Sequence, residues 1–351
     1  MALRPNVAAL VTSVAAVLTT VVVGCSESSA DSPAAPDTSG VAVTGGLEAL
    51  DPPGSVAGAD GTATTAAMTA TTAATDPSPA GAVPAVLDLG ADADAAAIAT
   101  ALTEAERTIR GDGSTPEQVA AAGRRQQLLY RYLSGHGELD AAVIAAVGDD
   151  VRPAVQRTIE AREAVQALRA GTERMPPPAT LPAWRIVEPL PAEELLTYYR
   201  EAETLTGVAW YWLAAINLQE TRMGRIDGVS SAGAVGPMQF LPATWADCCT
   251  GDPLEPRDAI IGAATYLVRH GAPGDMRAAL YGYNPSDAYV IVVTALAENL
   301  RDDERAYRGY HAWQVFYESA VGDVRLPIGY AATVETDAAT YLATHPEDAA
   351  G

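Results

Sequence analysis

The chain has 351 residues and a formal net charge of -22, from 22 basic residues, all of them arginine, against 44 acidic ones. That balance excludes a nucleic-acid binder working through phosphate contacts and disfavours adsorption to anionic lipid headgroups, since both need a basic surface. Phe occurs twice, and much of the 48% hydrophobic fraction is alanine, so the core is smaller than that fraction suggests.

In chain order, the first feature is an address. Residues 1–24 open with Arg4 and continue in an apolar run from Val7 to Val23. The run ends in Val22-Val23-Gly24-Cys25, which resembles the lipobox of bacterial lipoproteins. That resemblance implies cleavage before Cys25, lipidation of its sulfur, and anchoring to the outer face of the cytoplasmic membrane. The other reading is a short uncleaved anchor, although a run of about 17 residues is at the lower limit for spanning a bilayer. From residue 25 to 94 the chain is Ala, Thr, Pro, Ser, Gly and Asp with few large apolar residues. Such a segment buries too little surface to offset ordering entropy. It is expected to be a disordered tether with a mean span on the order of 40–45 Å.

Residues 95–172 read as a helical region. Ile98, Leu102, Ala105 and Ile109 share one helical face. Gly111-Asp112-Gly113 interrupts the pattern, a second helix runs from Thr115-Pro116-Glu117 through Leu133, a third spans 138–147, and a fourth starts near Val151. No acid, base or ligand cluster stands out here, so the region is expected to pack or space rather than catalyse. Residues 173–191, with Pro176-Pro177-Pro178, Pro182, Pro189 and Pro191, read as a semi-rigid extended linker. Trp184 and Ile186 within it are expected to dock on a neighbouring surface.

Residues 192–320 are again helical, and 321–351 form a tail with few signals. Leu195, Tyr198, Tyr199, Ala202 and Leu205 make an apolar stripe. Residues 208–220 form a nearly wholly apolar helix, which implies burial on most sides. Further helices are expected over 258–270, closed by Gly271, over 276–283, and over 287–300 behind Ser286 as N-cap. No run of alternating strands appears, so the fold class is mainly α with at most a minor β element.

Motif arithmetic removes several chemistries. The four His residues (136, 270, 311, 345) are scattered and there is no Cys-x-x-Cys, so no dedicated transition-metal site is expected. Without Lys there is no nucleotide phosphate loop. Gly228-Val229-Ser230-Ser231-Ala232 lacks the Gly that a serine-hydrolase elbow requires two residues after the Ser. Cys248 and Cys249 are adjacent. Neighbouring Cα atoms lie about 3.8 Å apart, below the usual disulfide range, which leaves a vicinal disulfide, free thiols or pairing between chains all open.

The helix over 208–220 carries the candidate chemistry. Trp210, Leu213, Asn217 and Glu220 share one face. An apolar helix desolvates the Glu220 carboxyl, and the helix C-terminal dipole also disfavours its negative charge. A carboxyl group held protonated near neutral pH is what a general acid for glycosidic cleavage needs. An ordinary solvated glutamate at a helix end is the alternative.

The residues that follow decide between these. Glu220-Thr221 precedes Ser230-x-x-Gly233-Ala234-x-Gly236-x-Met238-Gln239-x-x-Pro242-x-Thr244, and then Ala279-Leu-Tyr-Gly-Tyr283-Asn284 and Tyr289. Over about 110 residues this order and spacing resemble the lytic transglycosylase domain of the goose-type lysozyme superfamily. The lipobox, helical region and Pro-rich linker resemble the architecture of exported members from high-GC bacteria. The resemblance implies a lysozyme-like catalytic domain over 192–320 with Glu220 as the sole catalytic acid/base. It implies Ser230, Gln239, Tyr283 and Asn284 along the sugar subsites, and Met238 and Tyr289 shaping the groove. Packing is the alternative for Met238 and the stronger reading for Phe240 and Leu241. The implied partner is peptidoglycan, and the implied reaction needs no cofactor or metal. Pro237 and Pro285-Ser286 depart from the common pattern. Two rival functions are a hydrolytic muramidase and a non-catalytic glycan-binding lipoprotein.

Overall fold

The computed structural model describes residues 94–170 and 176–350. The expected signal segment, Cys25 and the tether up to residue 93 lie outside the described residues. Helix α1 (Ala95–Arg110) buries Ile98, Leu102, Ala105 and Ile109, the face its spacing predicts. Asp94 starts it by accepting the Ala97 N–H at 2.8 Å. Helix α2 (Pro116–Gly135) begins in a capping box, in which the Thr115 hydroxyl accepts the Gln118 N–H and the Gln118 amide accepts the Thr115 N–H. A 3-10 turn, Gly137–Leu139, leads into α3 (Asp140–Ala146), and α4 (Arg152–Arg169) takes Pro153 in its first turn.

The following helices are α5 (Ala192–Thr206), α6 (Trp210–Thr221), α7 (Pro242–Cys248), α8 (Pro256–Arg269), α9 (Met276–Tyr283), α10 (Asp287–Asp302) and α11 (Ala306–His311). The described chain is mainly helical, as the periodicity predicts. Helix α8 starts two residues ahead of its expected position because Pro256, whose missing N–H costs nothing in a first turn, can open it. Cys248 and Cys249 are bonded to each other, with Cα atoms 3.7 Å apart. This is one of the three states left open by their adjacency.

One hydrophobic cluster joins the early helices to the later ones. Leu102, Leu133, Val155 and Ile159 lie in the same buried core as Tyr199, Leu213, Ile216, Ile260 and Leu296. Helix α10 packs on both α4 and α6, and α11 packs on α2. At the α2–α11 crossing a Cβ on Gly123 would lie 2.2 Å from the Gly309 carbonyl oxygen, so only glycine admits this approach. Polar groups lock the same contact: the Gln127 side chain donates to the Gln314 carbonyl at 2.9 Å and accepts its N–H at 2.7 Å. On α10, the buried Asn299 amide donates to the Thr158 and Tyr310 hydroxyls, each at 3.0 Å.

A second core gathers the segment before α5 and the chain after α11. It contains Leu181, Trp184, Ile186, Ile226, Val324, Leu326 and Tyr330. Three two-stranded antiparallel sheets build it. In these, β1 (Thr180–Leu181) pairs with β6 (Thr336–Asp337), β2 (Arg185–Ile186) with β3 (Ile226–Asp227), and β4 (Val315–Ser319) with β5 (Gly322–Leu326). Helix α12 (Ala338–Thr344) closes it, fastened by the buried Arg325–Asp348 pair at 2.6 Å. Residues 176–187 carry the short strands β1 and β2, separated by a tight turn in which the Trp184 N–H donates to the Pro182 carbonyl at 2.9 Å. Both edges of the stretch are stitched: Val187 N–H donates to the Arg225 carbonyl, and Ile186 and Gly329 bond on the other side.

Candidate active site

Residues Leu213 to Thr221 of α6 are all buried, so about the last two and a half turns run through the core with no solvent face. Glu220 is the penultimate residue and is 4% exposed. Burial pushes its carboxyl pKa to about 8, against a smaller opposing pull from the nearby Tyr289 hydroxyl. The helix C-terminal dipole acts in the same direction as burial.

The chain leaves α6 abruptly. Arg222, Met223 and Gly224 take φ values of 55°, 62° and 83°, three left-handed residues in succession. The buried Arg222 guanidinium turns back and donates to the Leu218 carbonyl at 2.5 Å, covering the end of the helix. The backbone then passes through β3, where the Trp184 indole lies against Gly228 so closely that a Cβ would fall 2.2 Å from it.

The loop after β3 is closed on itself. Ala234 N–H donates to the Ser230 hydroxyl at 2.9 Å, and Ser230 N–H to the Ala234 carbonyl at 3.0 Å. Ser230, expected on a sugar subsite, is therefore buried with its hydroxyl engaged in shaping the loop. Gly236 has φ 76°, and a Cβ there would lie 2.0 Å from the Pro253 carbonyl oxygen. Gln239 is held at φ 51°. Its Nε2 donates to the Gly236 carbonyl at 2.9 Å, while its buried Oε1 has no partner among the described residues. A buried acceptor without a donor is costly unless a ligand supplies one.

Three expected site residues meet here. The Tyr283 hydroxyl donates to the Met238 carbonyl at 2.6 Å. Its ring lies nearly parallel to that of Tyr289, centroids 6.3 Å apart, and Tyr289 in turn reaches Glu220. The Met238 side chain is wholly buried in the main core, so it packs rather than lining open space. Phe240 packs edge-on against Trp245, Tyr266 and Tyr283. Asn284 is buried at the end of α9, with its N–H on the Leu280 carbonyl at 2.9 Å.

The other acidic residues close in sequence differ in character. Asp227 is half exposed and paired with Arg185 at 2.8 Å. Asp247 is paired with Arg269 at 3.3 Å, and Asp252 is exposed. The sequence places Tyr199 in an apolar stripe and Asn217 on the same helical face as Glu220, and assigns neither a polar role. Both prove to be buried and bonded to one another.

A curated relative, membrane-bound lytic murein transglycosylase F of Thiobacillus denitrificans, is 29% identical over 122 residues. The likeness supports the lytic transglycosylase family. It covers 32% of this chain, and the chain spans 26% of that protein's length. At the level of the family it supports a transglycosylase-like function. No family model and no solved structure matches the chain.

Proposed function

We propose that the protein is a peptidoglycan lytic transglycosylase cleaving the β-1,4 bond between N-acetylmuramic acid and N-acetylglucosamine, with Glu220 as its acid/base. The observation that carries this reading is a carboxyl group buried at the end of an apolar helix, protonated until about pH 8, beside a loop that bears a buried acceptor on Gln239 with no partner among the described residues. The likeness to a lytic murein transglycosylase agrees with it.

In this mechanism Glu220 donates its proton to the bridging oxygen as the glycosidic bond breaks. The electron pair of that bond leaves with the N-acetylglucosamine oxygen. The substrate's acetamide supports the muramyl anomeric carbon. Glu220, now ionised, takes the proton of the muramyl 6-hydroxyl, whose oxygen closes on the anomeric carbon. The product is a 1,6-anhydromuramyl end, no water is consumed, and Glu220 is protonated again. Burial serves both halves, because the raised pKa keeps the acid loaded and makes the carboxylate a stronger base. Gln239, Tyr283, Asn284 and Tyr289 would hold the sugars, with Ser230 and Met238 shaping the loop. A glycosidase that activates water ordinarily uses two flanking carboxylates. The exposed, Arg-paired Asp227 and Asp247 favour the one-carboxylate route.

Among the described residues no helix is long and apolar enough to cross a membrane. We place the protein in the cell envelope, held at the outer face of the cytoplasmic membrane through lipidated Cys25. Mass spectrometry of material released from purified sacculi tests the chemistry. Anhydro-muropeptides are expected, reducing-end products would make the protein a muramidase, and no release would leave a glycan-binding lipoprotein.

A further inference from the structure

We infer that Tyr199 and Asn217 are a positioning pair, whose hydrogen bonds hold the loop 236–239 on the end of α6 and so set Gln239 and Glu220 in register. The geometry stands by itself; its effect on turnover rests on the transglycosylase reading.

Asn217 lies on α6 one turn before Glu220 and is wholly buried, as is Tyr199 on α5. The Pro237 carbonyl can only accept, so the Asn217 Nδ2 must face it, and does at 2.8 Å. That turns Oδ1 toward α5, where the Tyr199 hydroxyl donates to it at 2.6 Å. The Thr221 hydroxyl supplies the second donor to Pro237, at 2.7 Å, and itself accepts the Gly224 N–H at 3.0 Å. The next carbonyl, that of Met238, is taken from α9 by the Tyr283 hydroxyl. Two successive carbonyls of the loop are thus fastened to two different helices, and the residue after them is Gln239 in its left-handed conformation.

Stability alone does not demand this arrangement. Apolar side chains of the same shape at both positions would serve the core nearly as well, because the net worth of a satisfied buried hydrogen bond is small. A buried polar pair instead specifies one register among several that a greasy helix would accept. Here the register concerns the loop against the helix end, the two pieces that carry Gln239 and Glu220.

The test uses the full chain with Tyr199→Phe, Asn217→Leu and the double variant, followed by amide hydrogen exchange and by kcat and KM for anhydro-muropeptide release. Exchange over 233–240 is expected to quicken about tenfold in each single variant, with α4 and α10 unchanged, as for a local opening. We expect kcat to fall about tenfold with KM within about twofold, and the double variant to be no worse than the weaker single one, as for members of one unit. Wild-type loop exchange in either folded variant would overturn the inference. So would exchange that quickens equally through the whole core, which would make the pair ordinary packing. If the wild type releases no anhydro product, the transglycosylase reading fails and loop exchange alone decides the positioning.

Discussion

Keeping Glu220 dry costs the fold stability at neutral pH. Its carboxyl pKa rises from 4.5 to about 8, so between those values the native state holds a proton that the unfolded chain has released. Stability is therefore fully present below about pH 4.5 and declines as pH rises toward 8. Glu220→Gln removes that linkage. Its Tm is expected to match wild type near pH 4 and to exceed it by on the order of 10 °C at pH 8, measured by calorimetry across pH. The same variant is expected to lose about 10²–10⁴-fold in release of muropeptides, the range for a lost general acid/base. Wild-type activity should fall on the alkaline side as the carboxyl loses its proton near pH 8. Asp227→Asn, which touches only the exposed pair with Arg185, is expected to keep substantial activity. A folded but dead Asp227→Asn would restore a two-carboxylate hydrolase.

Glycines in the 230–239 loop separate two kinds of constraint. Gly233 has φ 86° with open space where a Cβ would lie, whereas Gly236 has φ 76° and the Pro253 carbonyl in the way. Gly233→Ala should lose about 1 kcal/mol for its backbone conformation alone. Gly236→Ala should lose about 2 kcal/mol or more, because the chain must also move. Urea midpoints at constant slope would check the order, and equal losses would mean that the 253 segment yields freely.

Among the elements, α4 is more than a neighbour of α10. Asn299 of α10 bonds to Thr158, and Val155 and Ile159 share the core that encloses α6. A fragment spanning 180–325 keeps every proposed catalytic group. It removes α1–α4, and it also removes Leu326 and Tyr330, which pack in the same small core as Trp184. It is expected to unfold at lower urea and over a broader range than a fragment spanning 94–351. Equal midpoints and slopes would mean that the early helices contribute nothing to the later ones. If the shorter fragment folds, the proposed chemistry should survive in it, because it keeps Glu220, Gln239, Tyr283, Asn284 and Tyr289.

Over the whole molecule, the charge of -22 and the proposed anchor pull in different directions. An acidic body gains nothing from anionic headgroups, so the proposed retention at the membrane would rest on lipidated Cys25. Cys25→Ala is expected to move the protein from the detergent-dependent membrane fraction into the soluble one. A mature N-terminus other than Cys25 would contradict the lipobox reading.

Helical periodicity and motif order were sufficient for the mainly α fold, the buried faces of α1 and α6, and Glu220 as the residue to single out. These are local signals: an apolar stripe repeats every 3.6 residues, and a carboxylate at the end of an apolar helix is visible within one window. The small β core was not legible that way. Its strands are mostly two residues long, too short to show a period, and β1 meets β6 across more than 150 residues. The roles of Tyr199 and Asn217 were equally hidden. A lone Asn in an apolar helix announces that a partner must exist, but which group meets it depends on how α5, α6 and the loop at Pro237 pack. The pKa of Glu220 follows the same division: an apolar neighbourhood predicts the upward direction, and only near-complete burial in the packed structure carries it to about 8.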